Sequence, residues 1–207
     1  MNHSIKICGI TSVEDAQAVH LAGANAIGLM MYKNSSRYLE LHKAKEIYES
    51  INKKVQVVLV FVDQPDEYVN ECLDVMPNTV AQFHGSETSE YCNSFKNDFI
   101  KAISIKEEFN LEAAYEQFKG VKILLLDSYN PSTFGGTGNK FNWELIQNSG
   151  KLPFILAGGL NSNNVAQALG EVNCTGVDVS SGVESYPGKK DLYKVQTFIN
   201  KVRKVHD

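Results

Sequence analysis

Residues 153–159 read PFILAGG and residues 174–182 read CTGVDVSSG, and each stretch is typical of a strand that opens into a loop of small residues. The segment between them is long enough for one helix, for which Ser162 is the expected cap. Strands joined in this way bring their ends to one sheet edge, where exposed backbone N–H groups can hold an anion. The residues predicted to bind a phosphate group there are Gly158, Gly159, Ser180, Ser181 and Gly182.

The same alternation of strand and helix patterns continues along the chain. Helix-like segments, such as Ser12–Ala22 and Asp191–Val205, follow the strand-like runs. The strand-like runs fall at residues 5–10, 26–31, 56–62, 79–84, 99–104, 122–127, 153–157 and 176–180. Eight such units with no linker between them predict an α/β protein in which residues 1–207 form a single (β/α)8 TIM barrel. A doubly wound open sheet is the alternative.

Composition favours a small molecule as partner, and the two loops of small residues indicate that this molecule carries phosphate. The formal net charge is −4 and no run of basic residues occurs, which argues against nucleic acid or an anionic membrane as partner. The longest aliphatic run, residues 57–62, is too short to span a bilayer, and Met1 leads almost directly into a strand-like run. We therefore expect a cytoplasmic protein, and a monomer rather than a homodimer.

The cysteines show neither a zinc-site spacing nor a disulfide framework. No two of them form a C-x-x-C pair, and no histidine lies at metal-ligand spacing from them. We expect four free thiols and no metal site. The four residues are Cys8, Cys72, Cys92 and Cys174.

In a barrel, the period of two along each strand determines which side chains face the interior. Several of these inward positions carry polar or reactive groups close to the end of a strand, where barrel enzymes have their active sites. These residues are Lys6, Cys8, Gln82, His84, Asp127, Asp178 and Ser180. The pattern therefore predicts an active site at this end of the barrel.

Each of these residues also has a structural alternative. Cys8 could be a small buried hydrophobic residue, and His84 could be a histidine hydrogen-bonded at a strand end. Lys6 cannot stay charged inside a barrel unpaired, so a structural ion pair with Asp178 on the adjacent last strand is favoured. Asp127 could be a turn residue, although the glycine-rich segment at residues 134–138 is typical of a loop that closes on a substrate.

The motifs together closely resemble the phosphoribosylanthranilate isomerase family of tryptophan biosynthesis. The resemblance covers essentially the whole chain, in the family's order and spacing. The matching motifs are KICGIT at 6–11, SSR at 35–37, VAQFHG at 80–85, LD at 126–127 with GGTG at 135–138, LAGGLN at 156–161 and GVDVSSGVES at 176–185. Small departures from the family pattern occur at residues 33–36 and at Asp63, where asparagine is commoner, and they concern the local shape of the substrate pocket.

The resemblance implies an isomerase that converts N-(5-phosphoribosyl)anthranilate to 1-(2-carboxyphenylamino)-1-deoxyribulose 5-phosphate without a metal or redox cofactor. By resemblance, Cys8 is the general base, Asp127 the general acid, and Arg37 faces the anthranilate carboxylate. His84 is expected to line the substrate site. The residue types suit this chemistry, because a carboxylic acid can protonate the furanose oxygen and a weak base can then remove an acidified carbon proton.

The residues are also compatible with other functions. One alternative is another phosphate-binding sugar-phosphate barrel enzyme, such as indole-3-glycerol phosphate synthase or the related histidine-pathway isomerase. Cys8 argues against the latter, which carries an aspartate at that place. A barrel that only senses a phosphorylated ligand is the second alternative, and it would be expected to lack Cys8 or Asp127. A nucleophilic role for Cys8 is disfavoured, since no partner pattern for acyl transfer is evident.

Overall fold

Eight parallel strands close into a barrel in the computed structural model, which describes residues 3–51, 53, 55–105, 109–128, 143, 146 and 152–205. The strands are β1 Ser4–Cys8, β2 Ala26–Met30, β3 Gln56–Phe61, β4 Val80–Phe83, β5 Phe99–Ile105, β6 Ile123–Ser128, β7 Phe154–Leu156 and β8 Gly176–Val179. Each strand pairs in parallel with the next, and β8 pairs with β1. This closure confirms the predicted barrel, and the open-sheet alternative is wrong.

The described helices follow the strands as predicted. They are α1 Val13–Leu21, α2 Leu41–Ser50, α3 Asp66–Val75, α4 Ser89–Asn93, α5 Leu111–Gln117, α6 Val165–Glu171 and α7 Leu192–Lys204. Side chains cap several of them; the Asp191 carboxylate, for example, accepts a hydrogen bond from the Lys194 backbone N–H at the start of α7. None of the helices in the described ranges is long and apolar enough to cross a membrane.

The predicted cap of α6 is wrong. The helix begins at Val165, and its N-cap residue is Asn164 rather than Ser162. The Asn164 carboxamide accepts a hydrogen bond from the Asn161 backbone N–H at 2.8 Å and donates one to the Gly159 carbonyl at 2.9 Å. These two bonds close the loop after β7 on itself, so the helix starts two residues later than the sequence pattern predicts.

The barrel has two separate apolar layers. The larger lies between strands and helices and contains Ile5 and Ile7 of β1 and Phe83 of β4. The smaller fills the interior and includes Cys8, Val58, Val60, Ile100, Ala102 and Leu125. This division confirms the alternation predicted for β1 and β4, and it leaves the end of the interior layer open to the loops that follow the strands.

A small hairpin follows β8 and was not predicted. After a short 3₁₀ turn at Ser181–Val183, β9 Glu184–Tyr186 pairs antiparallel with β10 Lys189–Lys190. The buried Asp15 carboxylate of α1 anchors this hairpin, because it accepts hydrogen bonds from Lys189 Nζ at 2.6 Å and from the Lys190 backbone N–H at 3.0 Å. The hairpin is therefore fixed beside the end of β1.

Candidate active site

A cavity of about 640 Å³ lies at the carboxyl ends of the strands and collects nearly all of the predicted site residues. Its walls contain Cys8, Arg37, His84, Asp127, Gly158, Gly159, Ser180 and Ser181, but not Gly182. The segment before Arg37, where the sequence departs from the family pattern, also lines the cavity through Asn34, Ser35 and Ser36. The structure therefore brings most of the predicted site residues together at one end of the barrel.

Cys8 ends β1, is buried and lines the cavity. Burial raises the pKa of its thiol, because a thiolate is poorly solvated there; the nearby Lys6 ammonium opposes this effect and the Asp178 carboxylate adds to it. The thiol form therefore predominates at neutral pH. Lys6 nonetheless gives the thiolate a cationic hydrogen-bond donor once it forms.

Lys6 and Asp178 form the predicted ion pair. They are register partners across the β1–β8 closure, and Lys6 Nζ donates to Asp178 Oδ1 at 2.9 Å. Only 3% of the Lys6 side chain and 9% of the Asp178 side chain are exposed. Burial by itself lowers the pKa of Lys6, but the charges of Asp178 and Cys8 and their hydrogen bonds outweigh it and raise that pKa. Lys6 is therefore an ammonium ion.

A short chain of side-chain contacts joins Asp127 to β4. It runs from Asp127 to His84, which directly follows β4, and from His84 to Gln82 within that strand. The Nε2 atom of His84 lies 3.2 Å from Asp127 Oδ2, and the side-chain nitrogen of Gln82 lies 2.9 Å from His84 Nδ1. With the Gln82 amide as donor, Nδ1 is the acceptor, and the hydrogen on Nε2 is donated to the carboxylate. His84 thus contacts the residue predicted to be the acid. The sequence did not reveal this contact.

Arg37 is bound on one side by a carboxylate of the protein itself. Its Nε and Nη2 atoms donate to the two oxygens of Glu184 at 2.8 and 2.6 Å. Sequence reasoning assigned no role to Glu184, although it belongs to the GVDVSSGVES motif. Motif membership was the available signal, but nothing in the sequence connects two residues that lie 147 positions apart.

The loops after β7 and β8, which carry the residues predicted to bind phosphate, contact each other. Gly158 and Gly159 both have positive φ, 81° and 64°, which glycine adopts without strain. Gly182 packs directly on the Leu160 carbonyl oxygen, so a Cβ atom at this position would overlap that oxygen. The two loops therefore form one wall, and Gly182 is behind its surface rather than on it.

A second buried ion pair supports the loop that follows β4. Lys101 Nζ donates to Glu87 Oε2 at 2.9 Å, and both side chains are almost fully buried. The Glu87 carboxylate also accepts hydrogen bonds from the backbone N–H groups of Asp63 and Gly85, each at 2.9 Å. This pair was missed by sequence reasoning, and it fixes the chain on both sides of the cavity wall that carries His84.

The ranges that the structure describes contain no group of three or more His, Cys, Asp or Glu side chains that could hold a metal ion. The predicted closing segment, Gly135–Gly138, lies outside the described residues.

Comparison with known proteins identifies the family. Residues 5–201 match the family model described as N-(5'phosphoribosyl)anthranilate (PRA) isomerase. The chain belongs to this family. A PRA isomerase of Neisseria meningitidis is 41% identical over 194 residues, which are 94% of this chain and 93% of the relative.

Solved structures of PRA isomerases agree with the fold. The enzyme from Thermotoga maritima has a TM-score of 0.89 at 34% identity and covers 98% of this chain and 99% of its own. A PRA isomerase in complex with reduced 1-(o-carboxyphenylamino)-1-deoxyribulose 5-phosphate has a TM-score of 0.85 at 33% identity, with the same coverage. The predicted family and the predicted isomerase activity are confirmed.

Proposed function

We propose that this PRA isomerase converts N-(5-phosphoribosyl)anthranilate to 1-(2-carboxyphenylamino)-1-deoxyribulose 5-phosphate, with Cys8 as general base and Asp127 as general acid. One observation carries the assignment: a thiol, a carboxylate, a guanidinium group and two loops of small residues line a single cavity. The ligand in the related complex carries a carboxyphenyl group and a 5-phosphate, which supports a site with an anion-binding group at each end.

The first step requires the acid. Asp127 in its protonated form delivers a proton to the furanose ring oxygen, the ring opens, and an iminium ion forms between carbon 1 and the anthranilate nitrogen. His84 contacts the Asp127 carboxylate and so helps to orient it. After the transfer, the hydrogen bond from His84 stabilises the carboxylate that remains.

The second step requires the base. The iminium nitrogen acidifies the proton on carbon 2, and the Cys8 thiolate removes it to give an enolamine, which tautomerises to the ketone. Lys6 stabilises the thiolate that starts this step, while burial keeps the proton on sulfur in most molecules of the free enzyme. A small population of thiolate is sufficient, because the iminium ion has already lowered the barrier to removal of the carbon 2 proton.

The activity is tested by following the loss of the fluorescence of N-(5-phosphoribosyl)anthranilate with purified protein. We expect first-order loss that is proportional to enzyme concentration and stops at the ketose product. The histidine-pathway aldose substrate serves as the comparison substrate. No fluorescence loss, or faster turnover of the comparison substrate, would contradict the proposal.

The phosphate wall gives a separate prediction. We expect Gly182→Ala to raise KM by about tenfold and to weaken inhibition by inorganic phosphate to a similar degree, because its Cβ would push the Leu160 carbonyl away and part the two loops. Gly170→Ala is the matched control, since a Cβ in that part of α6 would contact nothing within 4 Å. Unchanged phosphate inhibition in Gly182→Ala would show that the anion binds elsewhere.

Arg37 gives a prediction for the other end of the substrate. Arg37→Ala is expected to lower kcat/KM by roughly 10- to 100-fold, mainly through KM, because a charge-assisted hydrogen-bond pair to the anthranilate carboxylate is lost. Arg37→Lys should recover only part of this loss, since an ammonium group cannot form the planar pair. Steady-state kinetics measures both values, and wild-type kinetics in Arg37→Ala would refute the role.

We further propose that the enzyme works in the reducing cytoplasm and as a monomer of one domain. All four cysteines are buried free thiols, which supports a reducing compartment. Large exposed apolar side chains are few in the described ranges, which supports a monomer; they are Leu21, Tyr186, Leu192 and Tyr193. Sedimentation equilibrium tests the monomer, and a mass twice that of the chain would contradict it.

A further inference from the structure

Glu184 is the centre of a charged cluster beside the cavity. Its carboxylate, only 4% exposed, accepts two hydrogen bonds from Arg37 and a third from Lys190 Nζ at 2.8 Å. Lys190 has a side chain that is 0% exposed, and its ammonium group also donates to the Cys8 carbonyl at 2.6 Å and the Ser180 carbonyl at 3.3 Å. The cluster therefore joins the hairpin to the ends of β1 and β8.

The pairing between Glu184 and Arg37 determines which edge of the guanidinium group remains available to a ligand. A guanidinium presents hydrogen-bond donors on two edges that can each meet a carboxylate. Glu184 occupies the edge formed by Nε and Nη2, so the edge formed by Nη1 and Nη2 is the one that can serve a second carboxylate. Arg37 lines the cavity, and this second edge is the one available to a ligand there.

The charges of the cluster explain why Glu184 does not cancel the attraction of Arg37 for an anion. Arg37 and Glu184 alone would be neutral, but the buried Lys190 ammonium restores one net positive charge. Burial lowers the pKa of Lys190, and the Glu184 carboxylate opposes this effect by its charge and its hydrogen bond. The hydrogen bond from Arg37 and the charge of Lys190 outweigh burial and lower the pKa of the Glu184 carboxyl. Glu184 is therefore ionised throughout the neutral range.

The aliphatic part of the Arg37 side chain is also held in place, by contact with Gly9. Gly9 has a φ of 75° directly after Cys8, and a Cβ there would overlap Arg37 Cδ and lie 2.9 Å from Ser180 Oγ. The side chain of Arg37 therefore packs closely against the backbone of Gly9. With its stem against Gly9 and one edge on Glu184, the guanidinium is fixed before any substrate binds.

We propose that Glu184 and Lys190 are positioning residues that present the second edge of Arg37 to the carboxylate of the substrate, and so select substrates that carry a carboxylate on the aromatic ring. This inference rests on the proposed role of Arg37. Glu184 acts through Arg37 and does not touch the reacting atoms. Its loss should therefore raise KM and reduce discrimination for the carboxylate, with little change in kcat.

The test compares two substrates in the Glu184→Gln variant. One is N-(5-phosphoribosyl)anthranilate, and the other is the analogue made from ribose 5-phosphate and aniline, which lacks the carboxylate. A glutamine has nearly the same shape, but its amide group places a donor against one guanidinium N–H. We expect kcat/KM for the anthranilate substrate to fall by about tenfold through KM, and kcat/KM for the analogue to change less than about twofold. Glu171→Gln, at an exposed position on α6, is the matched control.

Two further variants separate this inference from the proposed function. In an Arg37→Ala background, Glu184→Gln should cause no additional loss, because the group it orients is absent. If Arg37→Ala abolishes discrimination between the substrates while Glu184→Gln and Glu184→Asp retain it, the positioning role is wrong and the Arg37 role stands. An equal fall for both substrates in the Glu184 variants would also overturn the inference, since it would indicate a purely structural role. Should Glu184→Gln not fold, Glu184→Asp supplies the same comparison, with an expected intermediate loss for the anthranilate substrate only.

Discussion

Replacing Lys6 or Asp178 with alanine is expected to lower the free energy of unfolding by about 3–5 kcal/mol. The two side chains are almost fully buried and their charged atoms are 2.9 Å apart. Each single variant leaves the other charge inside the barrel without its partner, which costs far more than the pair itself contributes. Denaturant titration of each variant, followed by circular dichroism, measures the change.

The double variant distinguishes a buried pair from two independent residues. Lys6→Ala with Asp178→Ala should lose clearly less than the sum of the single losses, because no unpaired charge remains. Lys122→Ala is the matched control, since Lys122 pairs with Asp98 at 2.6 Å but both side chains are about half exposed or more. It should cost less than about 1 kcal/mol. Additive losses for Lys6 and Asp178 would show that the two residues do not interact.

Cys8→Ala and Asp127→Asn are each expected to lower kcat by at least roughly 100-fold, with little change in KM. Both groups transfer protons during the reaction, whereas other residues bind the phosphate and carboxylate ends of the substrate. Their loss should therefore affect kcat rather than KM. Asparagine keeps the shape of the aspartate but has no acidic proton to give. Steady-state fluorescence assays measure both values, and a near-normal kcat in Asp127→Asn would remove the acid from the proposal.

The barrel and its interior pair could be predicted because they follow from local periodicity. The alternation in β1 placed Lys6 and Cys8 inside, and closure of a barrel necessarily sets β8 beside β1. That topology alone brings Lys6 to Asp178. The same reasoning placed His84 and the small residues after β7 and β8 at one end of the barrel, where they line the cavity.

The remaining interactions depend on contacts between distant loops that no local pattern encodes. Glu184 meets Arg37 only because the hairpin folds back over the end of β1, and the hairpin itself is held by Asp15 on another element. The cap of α6 was misplaced for a similar reason, since the hydrogen bonds of Asn164 to its own loop outweigh the preference of Ser162 for a cap position. The closing role of Gly135–Gly138 stays a prediction.

The most direct test of Cys8 as the general base is the pH dependence of kcat/KM for the wild type and for the residual activity of Cys8→Ala. The thiolate is the active form, and burial raises the pKa of the thiol above its usual value. The active form of the pair carries one proton, on Asp127 and not on Cys8, so the wild-type value should stay level while the pair keeps that proton. It should fall only above the raised pKa of the thiol, beyond the range of an ordinary cysteine. We expect this alkaline transition to be missing from Cys8→Ala. The same transition in both proteins would mean that another group titrates there and that Cys8 is not the base.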